Sequence, residues 1–208
     1  MSVRRILRID NPEDKKILKT NCRPIKLPNR ELKQLIADMF ETMHEATGVG
    51  LAAPQVGLPI RLTVIWVPPV YEQQEDGTEV ETAPAEEYVL INPKIVKMSN
   101  EEVIRQEGCL SLPGWYGDVP RATWVTVEYQ DLNGKMRRIR KADGLLGWAI
   151  QHEVDHLNGI LFTERIRDLS TLRDLSKEQE EGAEPTAAEQ VAQTPDQSAA
   201  ADTPKVQA

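Results

Sequence analysis

Between Asn29 and Gly48 the apolar residues Leu32, Leu35, Ile36, Met39, Phe40 and Met43 return at helical spacing. That period predicts an amphipathic helix capped by Asn29, with Gly48 just past its end. The preceding residues, 1–28, are broken by Pro12, Pro24 and Pro28 and read as an irregular arm. Residues 62–67 form a β-branched run closed by Pro59 and Pro68, which predicts a strand. Residues 69–87 are polar and acidic around Asp76-Gly77, as expected of a solvated hairpin or mobile loop. Residues 88–92 and 95–98 are two further strand candidates on either side of Pro93. Residues 124–129 alternate, turn at Asn133-Gly134 and return through 136–139, the clearest hairpin in the chain. From Asp143 the helical period resumes through Leu145, Trp148, Ala149, Ile150, Val154 and Leu157, and Asn158-Gly159 supplies a stop. Apolar residues surround much of that helix, so it is expected to be buried. Leu169, Leu172 and Leu175 suggest one more short helix.

Composition changes this picture at one end. From Glu178 onward there is no aromatic residue and, alanine aside, only Val191 and Val206 are aliphatic. Such a stretch buries too little apolar surface to offset its ordering entropy. We therefore expect residues 1–175 to fold as one domain and 176–208 to form an acidic, disordered tail. The formal charge of −8 is concentrated in two places. Residues 178–208 hold seven acids against Lys205, and residues 72–87 hold seven acids and no base. The rest of the chain is mildly basic, so overall acidity says little about partners.

Two cysteines, Cys22 and Cys109, make no disulfide scaffold in a chain of this length and fit a reduced, cytoplasmic setting. No run approaches the length of a membrane span. The three arginines before Asp10 lack an apolar core, and acids at Asp10, Glu13 and Asp14 argue against a transit peptide.

The chemistry concentrates in Gln151-His152-Glu153-Val154-Asp155-His156, which holds two of the three histidines. Four residues on a helix turn through about 400°, so both imidazoles project from nearly one face. Two neutral imidazoles so placed can grip a divalent metal, with Glu153 close enough to handle protons on a water there. An ordinary helix with packed histidines is the plain alternative, and the scarcity of histidine weighs against it. His44, near the end of the first helix, reads as a solvated side chain. A hydrolytic metal needs a third protein ligand, and Cys109 in Glu107-Gly108-Cys109-Leu110-Ser111 offers one. Alone, Cys109 would read as a small buried hydrophobe; beside an incomplete two-histidine site, ligation is the better reading. Gly48-Val49-Gly50-Leu51-Ala52-Ala53-Pro54-Gln55-Val56-Gly57 implies close backbone approach, and it lacks the spacing of a phosphate loop. Gln55 is the one group there capable of directional chemistry, and a catalytic amide and a turn-stabilising one stand level.

Three of these stretches, Gly48 to Gln55, Glu107 to Ser111 and Gln151 to Leu157, resemble the three ordered motifs of peptide deformylases, over roughly residues 4–168. These bacterial and organellar enzymes remove formyl from the initiator methionine of nascent polypeptides. The resemblance implies an α+β fold, with mixed and antiparallel strands around a central helix carrying H-E-x-x-H. It implies Cys109, His152 and His156 as ligands of one divalent ion, ferrous iron in the cell, with zinc or nickel able to replace it. Glu153 would be the general acid and base, and the Gln55 side chain and the Leu110 backbone N–H would hold the oxyanion. Gly50 and Gly108 would contact the extended peptide, while Val49, Leu145, Trp148 and Ala149 would line the methionine pocket, Trp148 being bulkier than expected there. Glu107 and Arg121 resemble a family ion pair behind the cysteine loop, and Asp155 is either a second support or a solvated acid.

The implied partners are N-formylmethionyl nascent peptides, with transient proximity to the ribosome and neither direct DNA binding nor membrane insertion. Some relatives dock on the ribosome through a basic C-terminal helix; the acidic tail here does not suit that route. Two rival readings are a metallo-hydrolase of another N-acyl or peptide substrate, and a non-catalytic Cys/His/His metal-binding module.

Overall fold

The computed structural model describes residues 2–74 and 77–175. The acidic segment expected to be disordered, 176–208, lies outside these residues. The N-terminal arm is not wholly irregular. It contains a helix, α1 (Pro12–Leu18), whose first turn is capped by the Asn11 side chain accepting from the N–H groups of Glu13 and Asp14. Seven residues are too few for an apolar period, and only Asp14 and Leu18 are buried. Helix α2 (Leu32–Glu45) starts later than expected, because Asn29 spends its side chain on the Glu31 N–H at 3.0 Å, a local turn ahead of the helix.

The strands are, in chain order, β1 (Gly50–Ala52), β2 (Leu62–Val67), β3 (Val70–Gln73), β4 (Glu79–Ala83) and β5 (Glu86–Met98). There follow β6 (Glu102–Cys109), β7 (Leu112–Ala122), β8 (Trp124–Gln130), β9 (Met136–Asp143) and the two-residue β10 (Arg173–Asp174). Among the described residues these strands pair antiparallel, in sheets of order β1-β2-β5-β8-β9, β10-β7-β6 and β3-β4. The acidic excursion is thus the hairpin β3–β4. The two strand candidates around Pro93 are one long strand: the register shifts between Ile91 and Lys94, and Asn92 takes φ 52 to absorb the proline. Its side chain fixes the bulge, accepting from Ile25 N–H at 2.8 Å and donating to the Gln130 side chain at 2.7 Å.

The larger sheet is covered on both faces. Val64 and Ile91 face a cluster with Leu35, Met39 and Met43 of α2, whereas Ile65, Leu90, Val125 and Val127 face Ala149, Ile150 and Val154 of α3 (Gly144–Leu157). Burial on both sides explains why β2 is apolar without alternation. Asp143 occupies the cap position of α3 but makes no capping bond with its side chain. At the other end Gly159 has φ 72, and a Cβ there would meet the Lys19 carbonyl oxygen at 2.5 Å, so only glycine closes this helix against the α1 segment. The helix expected near Leu169 is instead a 3-10 turn, Leu169–Thr171, followed by β10 against Trp115 and Tyr116. Among the described residues no helix is long and apolar enough to cross a membrane.

Candidate metal centre

Helix α3 lies so that its polar face looks toward the end of β6. Gln151 holds it there, accepting from the Ala122 N–H and donating to the Ala122 carbonyl, both at 3.0 Å. The last residue of β6, Cys109, then lies over the two imidazoles. Cys109 Sγ lies 3.2 Å from His156 Nε2, which lies 3.2 Å from His152 Nε2. The three donor atoms all fall within 4.8 Å of one another. A tetrahedral ion with bonds of about 2.0–2.3 Å separates its ligand atoms by roughly 3.3–3.7 Å, so this donor set fits a divalent metal. The chemistry agrees: His152 turns its Nδ1 to Glu107 Oε2 at 2.9 Å, which aims Nε2 at the thiol.

The charges behind the donors are buried and paired. Arg121 donates to both Glu107 oxygens at 2.7 and 2.9 Å, and to Asp155 Oδ2 at 2.6 Å. Arg165 grips Asp155 from the other side at 2.6 and 3.0 Å. Asp155 is therefore a buried support and not a solvated acid. Burial would raise the Glu107 carboxyl, but the bonds from Arg121 and His152 bring it down to about 2. Burial would likewise raise the Cys109 thiol, yet the adjacent imidazoles of His156 and His152 pull it down to about 5. Burial alone would lower His152; Cys109 and Glu107 raise it well above its ordinary value. The neighbouring imidazoles thus favour the Cys109 thiolate, the form in which it would hold a divalent cation beside them.

Around these donors the glycine-rich segment closes in. Gln55 is buried, its side-chain oxygen accepting from the Ala52 N–H at 2.8 Å and its amide nitrogen donating to Ser111 Oγ at 3.3 Å and toward Cys109 Sγ at 3.7 Å. One end of Gln55 stabilises the turn while the other faces the thiol. Glu153 is buried, with Oε2 at 3.4 Å from Thr63 Oγ1, and burial raises its pKa above the ordinary carboxylate value. A Cβ on Gly50 would come within 2.4 Å of Glu153 Oε1, and one on Gly48 within 2.8 Å of Leu110 Cδ1. Glycine at these positions is what lets β1 approach the helix and the cysteine turn. Gly108 is similarly close under Tyr116. Val49 is half-buried beside β1, its carbonyl accepting from the Trp66 N–H at 2.9 Å. Leu145 and Trp148 are half-buried on α3, and Ala149 is buried in the core beneath it. His44 is exposed, edge-on to Trp66, and is not among the metal donors. Thr63, Ser111, Arg105 and Arg165 were not singled out from the sequence. Only Ser111 had a signal, as the last residue of the cysteine motif.

The comparisons with known proteins agree on one family. A sequence model described as polypeptide deformylase matches residues 3–172. The chain belongs to that family. A peptide deformylase of Chloroflexus aggregans is 74% identical over 180 residues, which cover 86% of this chain and 96% of that one. The peptide deformylase of Thermomicrobium roseum is 45% identical over 184 residues, covering 88% and 97%. Among solved structures, a peptide deformylase from Legionella pneumophila gives a TM-score of 0.66 at 39% identity, covering 82% of this chain and 89% of that one. One from Synechococcus elongatus, in complex with actinonin, gives 0.65 at 38% identity, covering 85% and 84%. The deformylase fold of helices with antiparallel sheets is thereby shared.

Proposed function

We propose that this deformylase removes the formyl group from N-formylmethionine at the start of nascent polypeptides, releasing formate. The observation that carries this reading is the Cys109–His152–His156 cluster with Glu153 buried beside it. In this reading α3, with its H-E-x-x-H face, is the element around which the strands are arranged, and residues 1–175 are the catalytic domain.

Cys109, His152 and His156 would hold the ion; three protein donors leave a corner for a reactant, as catalytic sites do. When bound, a divalent metal supplies Lewis acidity to water and to the formyl carbonyl. Glu153, raised by burial, takes a proton from water at its carboxylate and later delivers it to the departing amine nitrogen. The Gln55 Nε2 donor and the Leu110 N–H stabilise the oxyanion, each such donor being worth on the order of 3 kcal/mol in comparable sites. Gln55 is prepared for this because its oxygen is already committed to Ala52. β1 is an edge strand, so its free side at Gly50 can pair with an extended peptide, with Gly108 opposite. Val49, Leu145, Trp148 and Ala149 would receive the methionine side chain.

Ferrous iron is the proposed ion in the cell, with zinc or nickel as substitutes, since thiolate and imidazole suit all three. The unpaired thiols of Cys22 and Cys109 support a reducing, cytoplasmic setting, transiently near the ribosome and away from DNA and membranes. The test is formate release from a formyl-methionyl peptide by wild type and Glu153→Gln at equal metal content. We expect a loss of about 10²–10⁴-fold in the variant. Retained activity in Glu153→Gln, or faster turnover of acetyl peptides, would sink this assignment.

A further inference from the structure

The seam between β6 and α3 is built of three successive pairs. Side chains two apart on a strand share a face, as do those four apart on a helix. Cys109 meets His156, Glu107 meets His152, and one step further Arg105 meets Trp148, its guanidinium carbon 3.9 Å from the centre of the indole. In the first two pairs each side chain has its partner, and Arg121 further neutralises Glu107 while sharing Asp155 with Arg165. The third pair has no such support. The Arg105 side chain makes no ion pair or hydrogen bond among the described residues, its Nε is buried without a partner, and Trp148 Nε1 is too. Both side chains are half-buried, and β6 is the open edge of its sheet.

We propose that Arg105, held flat on Trp148, selects for an acidic side chain a few residues downstream of the formylmethionine. This rests on the deformylase reading and names a preference within it. An arginine stacked on an aromatic face keeps its planar edge of donors free, and two parallel N–H groups match the two oxygens of a carboxylate. Each residue of β6 advances about 3.3 Å, so Arg105 lies about 13 Å along the strand from Cys109. In the proposed reading Trp148 belongs to the methionine pocket, so Arg105, stacked on it, stands beside that pocket, and an extended peptide continuing past the methionine at about 3.3 Å per residue brings its second to fourth residues within reach of so long a side chain. The acids of the seam are already paired, so among the described residues no carboxylate holds this cation.

The test moves a single Asp or Lys through the second, third and fourth positions of formyl-methionyl tetrapeptides and measures kcat/KM. Wild type should favour Asp over Lys at one position by about fivefold, as expected for a partly exposed charge pair. Arg105→Leu should bring that ratio to about one, Arg105→Lys should keep part of it, and raised salt should shrink it. Calorimetric titration of the deformylated product peptides gives the same ratio without turnover. If no formyl peptide releases formate, the functional reading fails while the titration still tests Arg105. An Asp-to-Lys ratio near one in wild type, or a ratio that Arg105→Leu leaves intact, overturns the proposal.

Discussion

Two cysteines occupy two kinds of interior. Cys22 is 4% exposed and packs with Ala52 and Leu157, and burial pushes its thiol up to about 11, weakly opposed by Arg61. Cys109, held between two imidazoles, is drawn down to about 5 against the effect of its own burial. Removal from water is common to both; the neighbours decide the outcome. An apolar pocket makes a thiol inert packing, and a pocket that supplies compensating charge makes it a ligand.

The largest effect should come from Cys109→Ser. We expect metal content and formate release to fall a hundredfold or more, on the order of the upper end of what orienting partners alone are worth. Near-wild-type metal binding, measured by elemental analysis after dialysis, would break the comparison. Next, Arg121→Leu leaves Glu107 and Asp155 buried with one partner fewer. Breaking such a buried network costs about 3–5 kcal/mol, which calorimetry should register as a fall in Tm of roughly 10 °C. A smaller contrast concerns pH. After chelation the Cys109 thiolate, favoured by a lowered pKa, should be present above about 5 and lost below it. Cys22, with a raised pKa, should stay protonated until pH approaches about 11. Alkylation of chelated protein at neutral pH, mapped by mass spectrometry, should therefore label Cys109 and spare Cys22. The smallest effect is Cys22→Ala, which removes one sulfur from a packed site and should cost about 1 kcal/mol with formate release unchanged.

Legibility from sequence followed how local each determinant was. The β8–β9 hairpin and β2 were readable because strand period and turn residues lie within a few positions of one another. The β6–β7 hairpin was not read, since Pro113, Gly114, Gly117 and Pro120 look like loop residues; pairing with β6 holds Gly117 and Pro120 in the strand, while Gly114 takes φ 81. Helix α1 was hidden by its length, and the turn at Leu169–Thr171 mimicked a helix because three leucines happened to be suitably spaced. Within the centre, His152, Glu153 and His156 were readable from spacing alone. Cys109 needed the argument that two histidines are one ligand short.

The order of residues by itself determined that a helix would present two imidazoles and a carboxylate together, because backbone geometry turns spacing into direction. It also determined that one scarce thiol would be available to join them. Only the tertiary structure decided that β6 brings this thiol to 3.2 Å from His156 and that Glu107, Arg121, Asp155 and Arg165 form one chain of charges behind it. Those residues come from distant segments, and the field at Cys109 is the sum of what the fold places around it.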